Sequence, residues 1–374
     1  MKILYWTPLY WPDIGGTQTL AKITLRALAE RGHEILVLTT RTSQKMPEAA
    51  QHEGIPIQRM PFWSALNGKD MRLVLRLQAQ VAALKLQFLP DLIHIDFSGY
   101  TAFFQVATAK KAPAPTVLEF HNDVTGFQTR TDTTLRRLLE QADWVTGVSK
   151  STLESVQTAM PSIIDRSSVV YACAPTWEAA RFGPPSENPV VLGIGRLDRE
   201  KGFDVLIAAA ARLAGAFPGL QVRIVGDGPE RAALEAQADG LGLRGIVVFS
   251  GSIPNENLPK YLAEARVVVV PSRYREPFGL VAVEAAALAR PVVASNMGGL
   301  AEVVVHGETG LLVEMENPQA LATAIAQVLA DPVGARKMGL AAQRRAGQEF
   351  SLAKRVDAHE ALYHRLTARR PDAI

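Results

Sequence analysis

Two glutamates, Glu276 and Glu284, lie in one short stretch of the 374-residue chain, with seven residues between them. The apolar run Val267–Val270 precedes them and predicts a buried strand, and the alanine-rich run around Glu284 favours a helix. We expect Pro277 at the first helical position, where its missing N–H is of no consequence. A helix that begins there would point its free amide groups outward, and such groups bind phosphate.

The spacing of the two carboxylates suits a ligand with polar groups at both of its ends. At a rise of about 1.5 Å per residue, the two groups would stand roughly 10–12 Å apart along the helix axis. A sugar nucleotide has this layout, since hydroxyl groups flank its diphosphate on both sides. The alternative is a helix start at which Glu276 is solvated and Glu284 occurs by chance.

A second stretch with charged residues is the loop Gly193–Gly202, which follows another predicted strand. A dinucleotide-binding dehydrogenase would show Gly-x-Gly-x-x-Gly, but Asp198 occupies the place of the third glycine. The loop instead carries Arg196 and Lys201, an arginine that could bind a diphosphate bidentately and a lysine that would act as a point charge. Arg199 is a third cation in the same loop, and a solvated charged turn is the alternative interpretation.

These stretches resemble glycosyltransferase family 4, the retaining enzymes of the GT-B fold. The resemblance rests on the two glutamates that enclose Pro-Phe-Gly-Leu, and on Gly-Arg-Leu followed by Lys-Gly in the second loop. It extends to Val225–Arg231 and to Pro291–Val313, and it spans nearly the whole chain. One departure is Ala172–Ala174, which stands where family members often carry Asn-Gly-Val.

The resemblance implies that Glu276 and His121 are the catalytic residues, since both would lie at the donor sugar near the reacting centre. It also implies a donor-binding set, in which a paired-glycine loop, two cations, a base-reading loop and the helix start surround the nucleotide sugar. The donor-binding residues are Gly15, Gly16, Arg196, Lys201, Ile253, Phe278, Gly279, Leu280 and Glu284. His94 and Asp96 end the strand that precedes His121 in the predicted order, and the resemblance gives them no role.

Strands alternate with helices along both halves of the chain, a pattern that predicts parallel sheets with right-handed crossovers. The predicted strands are Lys2–Trp6, Glu34–Thr40, Leu92–Ile95, Thr116–Phe120, Trp144–Val148, Ser168–Tyr171, Val190–Ile194, Gln221–Val225, Ile246–Phe249, Val267–Val270, Pro291–Ala294 and Leu311–Val313. The predicted helices include Thr17–Arg31, Met71–Phe88, Thr131–Ala142, Asp204–Ala216, Pro229–Leu241, Asn255–Glu264, Phe278–Ala289, Gln319–Leu329 and Leu352–Ala368.

Together with the resemblance, this pattern predicts an α/β protein of the GT-B class, with two Rossmann-like domains whose parallel sheets face an interdomain cleft. The acceptor-side domain is expected at residues 1–175, and a proline-rich stretch without periodicity predicts a linker at 176–189. The nucleotide-sugar-binding domain is expected at 190–350. A helix within 351–374 is expected to pack back toward the first domain.

Composition excludes several other classes of protein. A hydrophobic content of 48% with 21% charged residues is ordinary for a globular protein, and the net charge of +3 is too small to indicate nucleic acid as a partner. The single cysteine, Cys173, excludes an internal disulfide. The chain begins with a run too short for a signal peptide and has no membrane-length apolar run, so we expect a cytoplasmic location.

A basic, partly apolar segment in the first half allows two interpretations. Lys69, Arg72, Arg76 and Lys85 alternate with apolar residues within 67–88. A basic amphipathic helix of this kind could touch anionic lipid at the inner face of the membrane. A helix that only packs on its sheet shows the same pattern.

The function that the resemblance implies is retaining transfer of a hexosyl-type sugar from a UDP- or GDP-sugar to a hydroxyl group of a carbohydrate or lipid-linked acceptor. We expect no metal and no further cofactor, because the chain has no Asp-x-Asp motif. One alternative is a catalytically silent GT-B module that binds a nucleotide. A Rossmann-type oxidoreductase is the other, and the broken glycine pattern disfavours it.

We expect sugar transfer by this chain to survive chelation of divalent cations. Arg196, Lys201 and helix amides, rather than a metal, would neutralise the diphosphate. The measurement is turnover with and without EDTA, each repeated after Mn²⁺ is added back. A loss of activity in EDTA that Mn²⁺ restores would contradict the assignment of the two cations.

Overall fold

The computed structural model describes residues 1–13, 15–125, 133–174, 176–177, 182–183 and 185–368 and divides the chain into two compact units. The first unit consists of Met1–Tyr171 together with the chain from Ala353 onward, and the second unit is Ala172–Leu352. The predicted linker therefore falls inside the second unit, although its residues 178–181 and 184 lie outside the described residues.

The first unit is built on one mostly parallel sheet. Its strands are β1 (Lys2–Trp6), β2 (Glu34–Thr40), β3 (Ala49–His52), β4 (Ile55–Met60), β5 (Leu92–Asp96), β6 (Thr116–Phe120), β7 (Trp144–Gly147) and β8 (Ser167–Val169). Its helices before the crossover to the second unit are α1 (Gly16–Glu30), α2 (Phe62–Asn67), α3 (Met71–Phe88), α4 (Gly99–Thr108), α5 (Thr134–Gln141) and α6 (Lys150–Ala159). The described strands lie in the order β3-β4-β2-β1-β5-β6-β7-β8, and the β3–β4 pair is antiparallel.

The second unit contains a parallel sheet with helices between its strands. Its strands are β9 (Val190–Ile194), β10 (Gln221–Val225), β11 (Val247–Gly251), β12 (Val267–Val270), β13 (Val292–Ser295) and β14 (Gly310–Val313). Its helices are α7 (Phe203–Leu213), α8 (Arg231–Gly240), α9 (Leu258–Glu264), α10 (Leu280–Ala287), α11 (Leu300–Val303), α12 (Pro318–Ala330) and α13 (Pro332–Glu349). The strand order is β11-β10-β9-β12-β13-β14, and the pairs are parallel.

The final helix, α14 (Leu352–Thr367), belongs almost entirely to the first unit. Its buried face includes Arg355, His359 and Tyr363, which recur every four residues and so lie on one side of the helix. Residues 369–374, the end of the segment for which a helix was expected, lie outside the described residues, as do residues 131 and 132 of the predicted helix before β7.

The prediction of two parallel α/β sheets is confirmed, and the strands predicted from apolar runs appear with shifts of at most two residues. Two strands, β3 and β4, were not predicted. Pro56 interrupts β4, and a proline within a short run argues against a strand. Helix α13 was not predicted either, because Gly334, Gly339 and Gly347 weaken its helical propensity.

The strand order reverses between β1 and β5 in the first sheet and between β9 and β12 in the second. In open α/β sheets, ligands bind outside the carboxyl ends of the strands at such reversals. Gly15 follows β1 and Asp96 ends β5, whereas Arg196 follows β9 and Glu276 follows β12. The candidate residues of each unit therefore lie at the expected edge of their own sheet.

Candidate active site

The carboxylate of Glu276 is held by hydrogen bonds to both of its oxygen atoms. Lys201 Nζ and Ser272 Oγ each donate to Oε1 at 2.7 Å, and the hydroxyl of Tyr274 donates to Oε2 at 2.8 Å. Glu276 is only 7% exposed. Its carboxylate is therefore oriented before any ligand binds.

Lys201 reaches Glu276 because two loops of the second unit pair with each other. Lys201 lies in the loop after β9, and Glu276 lies in the loop after β12. The amide of Arg273 donates to the carbonyl oxygen of Glu200 at 2.7 Å and joins the two loops. The cation predicted for the diphosphate and the carboxylate predicted for the sugar thus meet at one point.

The charge states in this cluster follow from burial and from its neighbours. Burial lowers the pKa of Lys201, but the nearby Glu276 and Tyr274 outweigh this effect, and the net pKa is raised. Burial, followed by the charge of Glu276, raises the pKa of Tyr274 to about 12. At neutral pH the cluster therefore contains an ammonium group, a carboxylate and a neutral phenol.

The prediction that Pro277 opens the helix is wrong. The helix α10 begins at Leu280, and Gly279 precedes it in the left-handed region with φ of 96°. A side chain favours right-handed backbone, so glycine is needed to turn the chain into the helix. The outward amides of the first turn therefore start three residues later than predicted.

A second glycine, Gly298, lets the backbone approach the carbonyl group of Glu276 closely. Gly298 has φ of 57°, and a Cβ there would lie 2.5 Å from the carbonyl oxygen of Glu276. The next amide, that of Gly299, donates to the same oxygen at 2.7 Å. Only a glycine pair permits this approach, which fixes the main chain of Glu276 as well as its side chain.

Glu284 lies on α10 in an environment unlike that of Glu276. Its carboxyl group has no hydrogen-bond or ion-pair partner among the described residues, and burial raises its pKa to about 8. The group is therefore mainly protonated at neutral pH. A neutral carboxyl group can both donate and accept hydrogen bonds, which suits a hydroxyl-bearing ligand.

The remaining donor-binding candidates of this unit differ in accessibility. The side chain of Phe278 is buried and packs edge-on against Phe350 at 5.4 Å, so its backbone is the part that could face a ligand. The side chain of Arg196 is 72% exposed and lies 3.2 Å from Asp198. Ile253 is half-buried after β11. Within the described ranges, neither Arg196 nor Ile253 has a hydrogen bond or ion pair with Glu276.

In the first unit, His121 follows β6 and points Nε2 toward two buried carboxylates. Nε2 lies 3.0 Å from Asp96 Oδ1 and 3.3 Å from Glu119 Oε2. Burial lowers the pKa of His121, but Asp96 and Glu119 outweigh it and raise the pKa to about 9. His121 is consequently an imidazolium at neutral pH. Gly15 and Gly16 lie at the start of α1, and within the described ranges no contact joins them to His121.

Three side chains in this cluster have the types and proximity of metal ligands. The candidate ligand atoms of His94, Asp96 and Glu119 lie within 4.8 Å of one another. However, Arg355 donates to Glu119 at 2.8 Å, and His121 is also positively charged. Two cations already compensate the two carboxylates, so the cluster does not fit a metal ion.

Sequence analysis did not identify Glu119, Arg355, Ser272 and Tyr274 as parts of the sites. Two features of the sequence could have identified Glu119 and Arg355. Glu119 is an acidic residue inside an otherwise apolar strand, and Arg355 opens a series of polar residues spaced by four on the last helix. Ser272 and Tyr274 flank the motif, but a contact between their side chains and Glu276 depends on the fold of the loop.

Comparison with known proteins identifies a family for each half of the chain. Residues 14–175 match the model described as "Glycosyltransferase Family 4", and residues 178–345 match the model described as "Glycosyl transferases group 1". The two matches together reach into both units and contain the site residues expected from the sequence, whereas Arg355 lies beyond the second match.

Two relatives share about a third of their aligned residues with the chain. A GDP-mannose-dependent alpha-(1-6)-phosphatidylinositol monomannoside mannosyltransferase of Mycolicibacterium smegmatis is 36% identical over 56% of this chain and 59% of its own. The alpha-maltose-1-phosphate synthase of the same organism is 33% identical over 62% of this chain and 66% of its own. The matches thus span between about half and two thirds of these relatives.

Two solved structures share the fold over nearly the whole chain. The sucrose-phosphate synthase of Thermosynechococcus elongatus has a TM-score of 0.82 and 26% identity over 99% of this chain and 100% of its own. HepE of Anabaena, solved in complex with UDP, has a TM-score of 0.76 and 23% identity over 98% of this chain and 100% of its own. At 23% identity, the similarity to HepE is evidence for the fold only. Both structures agree with the predicted GT-B class.

We expect Glu284→Gln to stabilise the unliganded protein increasingly as the pH rises. Because the folded-state pKa is raised above its ordinary value, the wild-type carboxyl contributes stability below about pH 4.5 and loses it as the pH rises through about 8. Glutamine does not ionise, so the variant should melt at least about 2 °C above wild type at pH 9, with a smaller difference at pH 5.

Thermal unfolding at several pH values measures this difference. Glu308→Gln is the matched control, because Glu308 is an exposed glutamate of the same unit. A variant whose advantage over wild type stays constant from pH 5 to pH 9 would show that Glu284 is charged in the folded protein.

Proposed function

We propose that this chain, which belongs to glycosyltransferase family 4, transfers a glycosyl group from a nucleotide sugar to a hydroxyl group of an acceptor. One observation carries the proposal. The ammonium of Lys201 and the carboxylate of Glu276 are in contact at 2.7 Å, and Glu276 lies in the loop that leads into α10. A cation and an anion at one point suit a bond that separates into a diphosphate anion and a sugar with cationic character.

The residues of the second unit would act on the two charges that develop as the glycosidic bond breaks. Lys201, with the amides of Gly279 and Leu280, would stabilise the negative charge on the departing diphosphate. Arg196, whose side chain is exposed, would reach the same group. Glu276 would stabilise the positive charge on the sugar. Groups that are oriented in advance are effective in this role, because they need not reorganise during the reaction.

We also propose that transfer retains the anomeric configuration. The oxygens of Glu276 accept three hydrogen bonds, one from an ammonium, and such a carboxylate is a poor nucleophile. Attack by the acceptor hydroxyl on the face from which the diphosphate leaves would give retention without a covalent intermediate. The donor would be a UDP- or GDP-hexose, as the GDP-mannose-dependent relative suggests.

A screen of nucleotide sugars tests the proposed function. Thermal-shift stabilisation identifies the donor, hydrolysis of the donor reports activation of the glycosidic bond, and mass spectrometry detects transfer to carbohydrate or lipid-linked acceptors. Binding of a nucleotide sugar without hydrolysis or transfer would instead support the catalytically silent module.

The two glutamates should respond differently to the same substitution. Glu276→Gln should lower kcat by about 10²- to 10³-fold, since an electrostatic contact made in the transition state is lost. Donor affinity should stay the same or rise, because Lys201 is released from its anionic partner. Glu284→Gln should raise the donor KM by about 3- to 10-fold, the effect of one hydrogen bond, and change kcat little.

Steady-state kinetics and donor titration on both variants measure these effects. Glu308→Gln, which alters an exposed glutamate, should change neither constant. Parallel losses of affinity and turnover in both variants would rule out the division of roles between the two glutamates.

We propose further that the first unit contacts anionic lipid through the surface formed by Trp63, Met71, Arg72, Leu75 and Arg76. Three of these residues are large, apolar and exposed: Trp63 by 53%, Met71 by 63% and Leu75 by 60%. The alternative, that α3 only packs on its sheet, explains the apolar residues on the buried side of the helix but not the exposed ones. In the described part of the chain no helix has the length and apolar character for a membrane span, so this contact would be peripheral, at the cytoplasmic face.

One residue of the predicted basic segment is not on this surface. Lys85 was expected among the basic residues of the helix, but it is buried, and its ammonium donates to Gln105 and Thr108. Burial lowers its pKa to about 7. Lys85 therefore contributes to the interior of the unit and not to a lipid contact.

Vesicle flotation tests the lipid contact. Wild-type protein should float with vesicles that contain phosphatidylglycerol and not with pure phosphatidylcholine, and added salt should weaken the effect. Leu75→Asp should reduce flotation several-fold. Val333→Asp, which replaces an 81% exposed apolar residue of the second unit, should leave it unchanged. Flotation that is independent of anionic lipid would contradict the proposed contact.

A further inference from the structure

His121 faces two carboxylates with a single ring nitrogen. Asp96 Oδ1 and Glu119 Oε2 both lie within 3.3 Å of Nε2. A carboxylate can only accept hydrogen bonds, so the proton must lie on Nε2. Asp96 Oδ1 also accepts from the hydroxyl of Tyr5 at 2.8 Å, which fixes this carboxylate from a third strand.

The last helix supplies the second cation of the cluster. Arg355 is 3% exposed and donates to Glu119 at 2.8 Å, to Thr24 at 3.1 Å and to the carbonyl oxygens of Val170 and Tyr171. These four partners lie on three separate segments of the first unit. The guanidinium therefore fixes the position of Glu119, which lies 236 residues earlier in the chain.

Charge balance requires a protonated His121. Asp96 and Glu119 are buried carboxylates, and Arg355 compensates one of them. No other ionisable neighbour among the described residues lies as close to both carboxylates as His121 does. Burial and the charge of Arg355 keep the pKa of His359 well below its ordinary value, and burial raises the pKa of Tyr5 and Tyr363 well above theirs. His94 Nε2 lies 3.4 Å from Glu119 Oε2 and 3.8 Å from Asp96 Oδ1, farther than His121 Nε2 lies from either, and His94 Nδ1 is 2.7 Å from the hydroxyl of Tyr363.

The other nitrogen of His121 is turned away from this cluster. No hydrogen bond among the described residues involves Nδ1, and the side chain retains 9% exposure. In an imidazolium both nitrogens carry protons, so Nδ1 is a donor and cannot accept. Whatever group meets it must offer an oxygen acceptor, such as a hydroxyl, carboxylate or phosphate oxygen.

We propose that Asp96 and Glu119 are positioning residues that fix His121 as an imidazolium with one outward N–H, and that Arg355 of α14 holds Glu119 in place for this role. The inference rests on the proposed function for the identity of the oxygen that Nδ1–H meets. Held in this way, His121 selects substrates with an oxygen acceptor at that point and excludes cationic groups. The last helix is then a component of the site in the first unit.

The test measures protonation of His121 directly in the unliganded protein. NMR titration of the imidazole signals, with His121→Gln to assign the resonance, should give a midpoint near pH 9 for wild type. Asp96→Asn and Glu119→Gln should each lower the proton affinity of His121 at least tenfold. Arg355→Gln should also lower it, because Glu119 is no longer held against His121 and this outweighs the loss of a neighbouring positive charge. An unchanged or raised proton affinity in this variant would contradict the role of Arg355.

A control on the same helix separates this effect from general destabilisation. Asp357→Asn removes an exposed ion pair with Arg31 and should leave the titration as in wild type. The alkaline limb of kcat/KM should move to lower pH in Asp96→Asn and Glu119→Gln in step with the NMR midpoint. Asp96→Asn and Glu119→Gln test the same effect separately, so the test stays decisive if one of them fails to fold.

A wild-type midpoint near the ordinary value of 6.5, or carboxylate variants that titrate as wild type does, would overturn the inference. The NMR measurement needs no nucleotide sugar, so its outcome is independent of whether the chain transfers sugar. A His121 midpoint near pH 9, together with no transfer to any acceptor, would reject the proposed function alone. Transfer with an uncharged His121 would reject the inference alone.

Discussion

An ammonium–carboxylate contact of 2.7 Å between Lys201 and Glu276 joins the loops that follow the two central strands of the second sheet. Each group has lost most of its contact with water, so each depends on the other, and loss of either would leave an uncompensated charge. Tyr274 donates to the remaining oxygen, and Gly298 abuts the backbone of Glu276. Both oxygens of the carboxylate and the backbone of Glu276 are thus fixed.

The first unit also contains buried carboxylates that need positive charges beside them, and a different set of residues supplies these charges. There, Glu119 is compensated by Arg355 and by His121, and the contact with Arg355 joins residues 236 positions apart. Lys201 and Glu276 are themselves 75 positions apart. In both units the charge that compensates a candidate site residue comes from a distant segment. The completed fold, and not a local motif, therefore determines the charge state of each site.

This dependence explains what the sequence could and could not predict. Strands such as Val267–Val270 are buried on both faces of a parallel sheet and appear as continuous apolar runs, so they were predicted well. The edge strand β3 and its neighbour β4, which contains Pro56, carry no such signal. Motif spacing identified Lys201 and Glu276 but not their contact, and Pro277 was misplaced because the left-handed turn at Gly279 sets the helix start.

The two glutamates of one motif differ in the property that sequence cannot show, which is their surroundings. Glu276 accepts from an ammonium and two hydroxyls, whereas Glu284 has no partner among the described residues and burial raises its pKa to about 8. Environments that separate two carboxyl groups in this way assign them different roles. An ionised Glu284 would repel a nearby diphosphate. Because burial keeps it neutral, it can lie beside a negatively charged ligand and still exchange hydrogen bonds with hydroxyl groups.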